Sequence, residues 1–194
     1  MTERLAAIAD RIDRLIAAVG RAVMWLALLV VLVQFVVVLL RYAFGTGSIW
    51  LSEAVIYGHA ALFMLAAGWT LQENGHVRVD VFYSDASPRA KATIDLLGAL
   101  LLLLPFVAVT AWFALPYVAR SWTILERSRE VSGLPFVYLL KTLIPLFALL
   151  LALQGIAQAI RAALVLTTSD ETHPAAPGSR LSRALRSALG RDTQ

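Results

Sequence analysis

Apolar residues fall along this chain in four blocks, each closed off by charge. Residues 22–40 lie between Arg21 and Arg41, and 54–72 between Glu53 and Glu73. Residues 96–119 lie between Asp95 and Arg120, and 142–160 between Lys141 and Arg161. A helix over 54–72 would run about 28 Å at 1.5 Å per residue, close to one hydrocarbon thickness. Each block is therefore long enough to cross a bilayer once. Within the second block, Ala54, Gly58, Ala61, Leu65 and Gly68 recur at helical spacing and form a mostly small-residue stripe. Such stripes let helix backbones approach closely in lipid.

Ahead of the first block, the pattern changes. Leu5, Ile8, Ile12, Leu15, Ile16 and Val19 share one helical face, while Arg4, Arg11, Asp13 and Arg14 lie on others. Charges so interspersed do not make a secretory signal, which has a basic start and one apolar core. They predict an amphipathic helix at the membrane interface. Asn74-Gly75 is a helix stop, and Ser87-Pro88 reads as an N-cap followed by proline at the first helical position. The third helix should thus start in water, before its apolar core. Pro105, Pro116 and Pro145 fall inside spans and predict bends. After the fourth span, TTSDETHPAAPGS is a linker by composition, and a basic tail follows with Leu181, Leu185 and Leu189 at four-residue spacing.

The fold class predicted is all-α: a polytopic membrane protein with four transmembrane helices and an N-terminal amphipathic interfacial helix. Its parts are an interfacial helix over 1–20, a membrane domain over 21–165, and a linker and tail over 166–194. Composition agrees. A chain of 194 residues that is 59% hydrophobic and 15% charged is too apolar for a soluble domain. With no cysteine there is no disulfide, thiolate metal site or cysteine nucleophile. Basic residues exceed acidic ones by only 17 to 13 and gather at membrane edges, which favours lipid headgroups over nucleic acid.

Orientation follows from the same basic residues. Four spans put the N-terminus, the second loop and the C-terminus on one side, with four, three and five basic residues; the other side carries Arg41, Arg120, Arg127, Arg129 and Lys141. The bias places both termini in the cytoplasm.

Chemistry inside the spans is sparse. His59 is the only histidine within one, with no Cys, Asp or Glu at ligand spacing, and reads as a helix-packing hydrogen bonder. Gln34, and Gln154 with Gln158 one turn on, read the same way. Glu53 opens the second span, where a helix dipole favours a carboxylate. It could also be a fixed partner for Arg41 or for a neighbouring subunit. The chain carries no HExxH, phosphate loop, nucleophile elbow or dinucleotide fingerprint, so no enzyme, cofactor or metal site is predicted.

One succession of residues carries a resemblance. Arg41 ends the first span, Trp50-x-x-Glu53 opens the second, and Ala66-Ala67-Gly68 lies late in it. GHVRVD over 75–80 follows, then SGLP over 132–135, LKTLIP over 140–145, and Leu153-Gln154. Over roughly 20–165 the chain resembles the small membrane subunit of tripartite ATP-independent periplasmic (TRAP) transporters, the DctQ-like family. The connection before Ser132 is richer in Arg and Glu than that pattern.

The resemblance implies a supporting role in sodium-coupled import of a small organic acid or related solute across a bacterial inner membrane. Its implied partners are the large TRAP membrane subunit, which carries the solute and sodium sites, a periplasmic solute-binding protein, and membrane lipid. Carried residue by residue, Trp50 and Glu53 order the periplasmic end of the second span. His76, Arg78 and Asp80 order the cytoplasmic loop, and Pro135 sets the start of the fourth span. Arg41, Gly58, Gly68 and Gln154 complete the structural and partner contacts. Two other classes stay open. A self-sufficient small transporter would need a carboxylate near the midplane, and a membrane cofactor or redox anchor would need paired ligands.

Overall fold

The computed structural model describes residues 2–76, 83 and 86–168. Helix α1 spans Thr2–Ala43, α2 Ile49–Gln72, α3 Pro88–Leu97, α4 Leu104–Thr123 and α5 Val137–Thr168. A six-residue π-helical stretch, Gly98–Leu103, joins α3 to α4 into one long element. No strand occurs among the described residues. Four of these elements are long and apolar enough to cross a membrane, with α3–α4 counting as one, and each contains one of the four predicted spans.

Local chemistry places two of the ends, at Asn74-Gly75 and Ser87-Pro88, as expected, and the Ser48 cap was not foreseen. Ser48 caps α2, its side chain accepting from the Leu51 N–H, and Ser87 caps α3 with Pro88 in the first turn. α2 stops at the expected Asn74-Gly75 pair. Asn74 takes the left-handed conformation (φ 55°), and the Gly75 N–H reaches back to the Thr70 carbonyl at 2.8 Å. α4 closes the same way, but with Leu125 at φ 46° and the Glu126 N–H on the Ser121 carbonyl. A leucine held there costs about 1–2 kcal/mol, so something must hold it.

Pro105 accounts for the π stretch. Its ring would strike the carbonyl one turn back, and it has no N–H to give. Widening the turn by one residue removes the clash, and the Leu104 N–H bonds instead to the Ala99 carbonyl. Helix continues through Pro116 and Pro145.

α1 differs from its expected division. The helix runs unbroken for 42 residues, with no boundary near residue 20. At about 63 Å it is twice the hydrocarbon thickness. Ala9 and Ile16, on the half expected at the membrane interface, are 1% and 2% exposed. They are covered because this half runs antiparallel to the end of α5.

α5 is the middle of the bundle. α1 and α2 pair on one side of it and α3–α4 lies on the other, while α2 and α4 make no close backbone contact. The core is small: Val107, Ala148 and Leu151, packed by Ala67, Leu71, Leu103 and Phe147. A cleft is left between α2 and α3–α4, floored by α5.

Candidate functional site

Polar chemistry gathers at the two ends of the bundle and locks the helices there. At the loop end, Glu53 projects from the second turn of α2 toward the α4–α5 connection. One carboxylate oxygen accepts from the Ser128 hydroxyl and the other from the Leu134 N–H, at 2.5 Å. A Cβ on Gly133 would lie 2.7 Å from Glu53 Oε1, so glycine in the SGLP turn makes room for the carboxylate. Hydrogen bonds to a charged acceptor are roughly twice as strong as neutral ones.

A second lock lies beside it. Glu126, just after the left-handed Leu125, accepts from Lys141 Nζ at 2.5 Å and from Ser121 Oγ at 2.7 Å. The hydrogen bond from Lys141, then that from Ser121, holds the Glu126 carboxyl below its ordinary pKa. Lys141 also sits 4.0 Å over the Tyr117 ring, and Trp122 Nε1 donates to Thr142 Oγ1 at 2.9 Å. Thus Lys141 and Thr142 of the LKTLIP motif tie the start of α5 to the end of α4. This is the support that keeps Leu125 in its unfavourable conformation.

The opposite end is locked by α1. Arg161 bridges Asp10, at 2.9 Å, and Asp13. Gln154 is 3% exposed and its Nε2 donates to Asp13 Oδ1 at 3.1 Å. Gln72 Nε2 donates to the Asp13 carbonyl at 3.2 Å, and Gln158 Nε2 to the Leu71 carbonyl at 3.3 Å. Asp13 is therefore the junction of α1, α2 and α5.

Between these ends, small residues set the spacing. A Cβ on Gly58 would meet Val30 at 2.8 Å, and one on Gly68 would meet the Leu150 carbonyl at 3.2 Å and Ile16 at 3.3 Å. Gly20 lies directly against the Trp69 ring. The small-residue stripe thus faces α1 and α5 of the same chain.

The other predicted positions separate. Arg41 is exposed at the end of α1 and Trp50 is 53% exposed in the first turn of α2. Glu53 does not pair with Arg41; it points inward to the Ser128–Leu134 turn, while the arginine stays on the surface. Pro135 is half-buried two residues before α5 begins. His76 is exposed on the rim of the cleft. Arg78 and Asp80 lie outside the described residues. His59 faces outward at mid-length of α2, not toward another helix of this chain. Asp13, Gln72, Glu126, Lys141 and Arg161 were not foreseen. One signal was available, since Gln154, Gln158 and Arg161 step down α5 by four and then three residues and so share a face.

A family model describing the DctQ component of tripartite ATP-independent periplasmic transporters matches residues 30–165. The chain belongs to that family. It is a small TRAP transporter subunit, a component of a multi-subunit membrane assembly. The match takes in Glu53, Glu126, Lys141, Gln154 and Arg161, so both ends of the bundle contribute residues to the family region, whereas Asp10 and Asp13 precede it. No curated protein and no solved structure matches the chain.

Proposed function

We propose that this chain is the static membrane scaffold of a sodium-coupled TRAP importer for a small organic acid. It packs against the large membrane subunit, which binds solute and sodium, while a periplasmic protein delivers the solute. The chain sits in a bacterial inner membrane with both termini cytoplasmic.

The observation that carries this reading is where the polar groups point. Glu53, Glu126, Asp13, Gln154 and Arg161 are all engaged in joining helices of this chain, which fixes a shape instead of leaving groups to follow a solute. What the bundle offers outward is apolar: Trp25, Phe35, Trp112 and Phe113 are each at least 63% exposed. His59, between the exposed Ile56 and Phe63 on α2, interrupts that surface. A polar imidazole at mid-helix is disfavoured against hydrocarbon, so it supports a protein surface covering this face.

Reconstitution into liposomes with a sodium gradient tests the assignment. Solute uptake is expected only when the large subunit and the binding protein are both present. Sodium-driven uptake by this chain alone would overturn it.

A further inference from the structure

The first half of α1 carries a ridge of arginine on its outer face. Arg4, Arg11, Arg14 and Arg21 are spaced by seven, three and seven residues, with Ala7 and Ala18 between them, so all six share one side of the helix and all are exposed. The buried Ala9, Ile16 and Val23 stand two places beyond Ala7, Arg14 and Arg21, about 200° away round the helix. The ridge therefore points off the bundle. Its charge is not cancelled among the described residues. Arg4, Arg11 and Arg21 have no hydrogen bond or ion pair there, and Arg14 reaches only the Asp10 carbonyl, at 3.3 Å. The side chains of Asp10 and Asp13, on the same helix, are turned to Arg161. Residues 169–194 are themselves net basic, with four arginines against Asp170, Glu171 and Asp192.

Depth decides what meets these cations. Gln72 donates to the Asp13 carbonyl and Gly20 lies against Trp69, so residues 13–20 run beside the last turn of α2, a helix long and apolar enough to cross the membrane. Arg14 and Arg21 are thus at the edge of the bilayer. From Arg21 the same spacing of four and three continues into Trp25, Leu28 and Leu32, each more than half exposed. One face of α1 is therefore cationic at the membrane edge and apolar inside it. Long helical side chains lean toward the N-terminus, which carries the Arg21 guanidinium out of the hydrocarbon to headgroup level. A charge at that depth is costly unless a counter-charge meets it.

We propose that the Arg14–Arg21 stretch of α1 is a binding site for anionic phospholipid. Every phospholipid brings a phosphate to this depth, and guanidinium pairs well with phosphate. Ethanolamine and choline heads bring a cation with it, which a ridge of arginines repels, whereas a glycerol head brings none. Ala18, between the two arginines, is short enough to let the headgroup rest on the helix, and an acyl chain continues along Trp25, Leu28 and Leu32. Arg11 lies about 5 Å further out along the axis and reinforces the site, while Arg4, about 15 Å out, lies beyond the screening length. The site belongs to the chain itself and does not rest on which solute the transporter imports.

The test uses the full-length chain in detergent, titrated with dioleoyl-phosphatidylglycerol, -phosphatidylethanolamine or -phosphatidylcholine and followed by native mass spectrometry. Phosphatidylglycerol is expected to bind saturably and about tenfold or more tighter than either zwitterionic lipid. Arg14→Gln with Arg21→Gln should bring the three lipids to within about twofold of one another. Both side chains are exposed, so this variant should keep the wild-type Tm. Arg14→Lys with Arg21→Lys should retain the preference, because the charge remains, and Arg4→Gln should leave it nearly unchanged. Glutamine at Arg180, Arg183, Arg186 and Arg191, the other basic stretch of the chain, should also leave it in place. Equal binding of the three lipids by the wild type overturns the proposal. So does a preference that survives loss of Arg14 and Arg21, or one that disappears with the tail arginines. A preference abolished when the large subunit assembles overturns it too, and would assign the ridge to protein.

Discussion

Glu53 and Leu134 are 81 residues apart in sequence, yet the Leu134 N–H donates to Glu53 Oε2 at 2.5 Å. That bond, with the one from Ser128, fixes the α4–α5 connection onto α2. Leu134 itself is 6% exposed, so the amide has little water to turn to if the carboxylate is removed.

Glu53→Ala should therefore destabilise the bundle by about 1–3 kcal/mol, the usual penalty for stranding a buried donor. In detergent this reads as a fall in Tm of several degrees. Glu53→Gln keeps an acceptor and should lose less. In the assembled transporter, neither variant should alter the sodium dependence of uptake at matched expression. A changed sodium dependence with assembly intact would place the carboxylate in ion coupling instead.

Acid should open the neighbouring lock. Folding holds the Glu126 carboxyl below its unfolded value of 4.5, so the folded state is favoured by its ionisation. The stabilisation is complete above 4.5 and is lost as pH falls through the depressed folded value. The Tm difference between wild type and Glu126→Gln should be constant near neutrality and shrink below pH 4.5. Lys141→Met should remove most of that pH dependence, because the lysine is the main cause of the depression. A difference that instead grows in acid would show that the pair does not stabilise the fold.

Asp10 and Asp13 both pair with Arg161, but they should not matter equally. Asp10 is 65% exposed and its carboxylate has no other partner among the described residues, the situation in which an ion pair contributes about 0–1 kcal/mol. Asp13 is 16% exposed and also receives the buried Gln154 amide. Asp13→Ala leaves that amide without its acceptor, at about 1–3 kcal/mol. Thermal unfolding of the two alanine variants side by side should give a clearly lower Tm for Asp13→Ala. Equal losses would mean the lock at this end is only a surface pair.

The sequence shows the helices but not who meets whom. Span positions are carried by runs of local apolar residues, and the stops at Asn74-Gly75 and Ser87-Pro88 are carried by single turns, so both are readable along the chain. The small-residue stripe at Gly58 and Gly68 is equally legible as a packing face. Its neighbours, Val30, Ile16 and Leu150, are not, because they depend on how α1 and α5 cross it. Charge misleads most where two distant residues share a membrane edge. One reading paired Glu53 with Arg41 on that ground, beside a neighbouring subunit or the helix dipole alone, yet the carboxylate turns inward to an N–H that no pattern marks. Asp13, part of what makes residues 2–20 look like a separate amphipathic helix, is a half-buried junction of three helices. Its partner Arg161 lies 148 residues away.

His59 offers a way to separate this chain's own stability from its assembly. The imidazole faces outward at mid-length of α2, flanked by the exposed Ile56 and Phe63. Against lipid, replacing it with leucine would remove a polar group from hydrocarbon and leave the chain as stable or more so. Against a protein partner, the same change deletes an interhelical hydrogen bond worth about 0.6–2 kcal/mol. The proposed scaffold role requires the second case. His59→Leu should therefore leave the Tm of the isolated chain unchanged or raised, while lowering copurification with the large subunit about threefold to thirtyfold. Ile56→Trp, which adds bulk to the same face without touching the lock residues, should impair copurification in the same direction. If both variants assemble normally, the large subunit docks elsewhere, with the α4 face around Trp112 and Phe113 the next surface to test by the same assay.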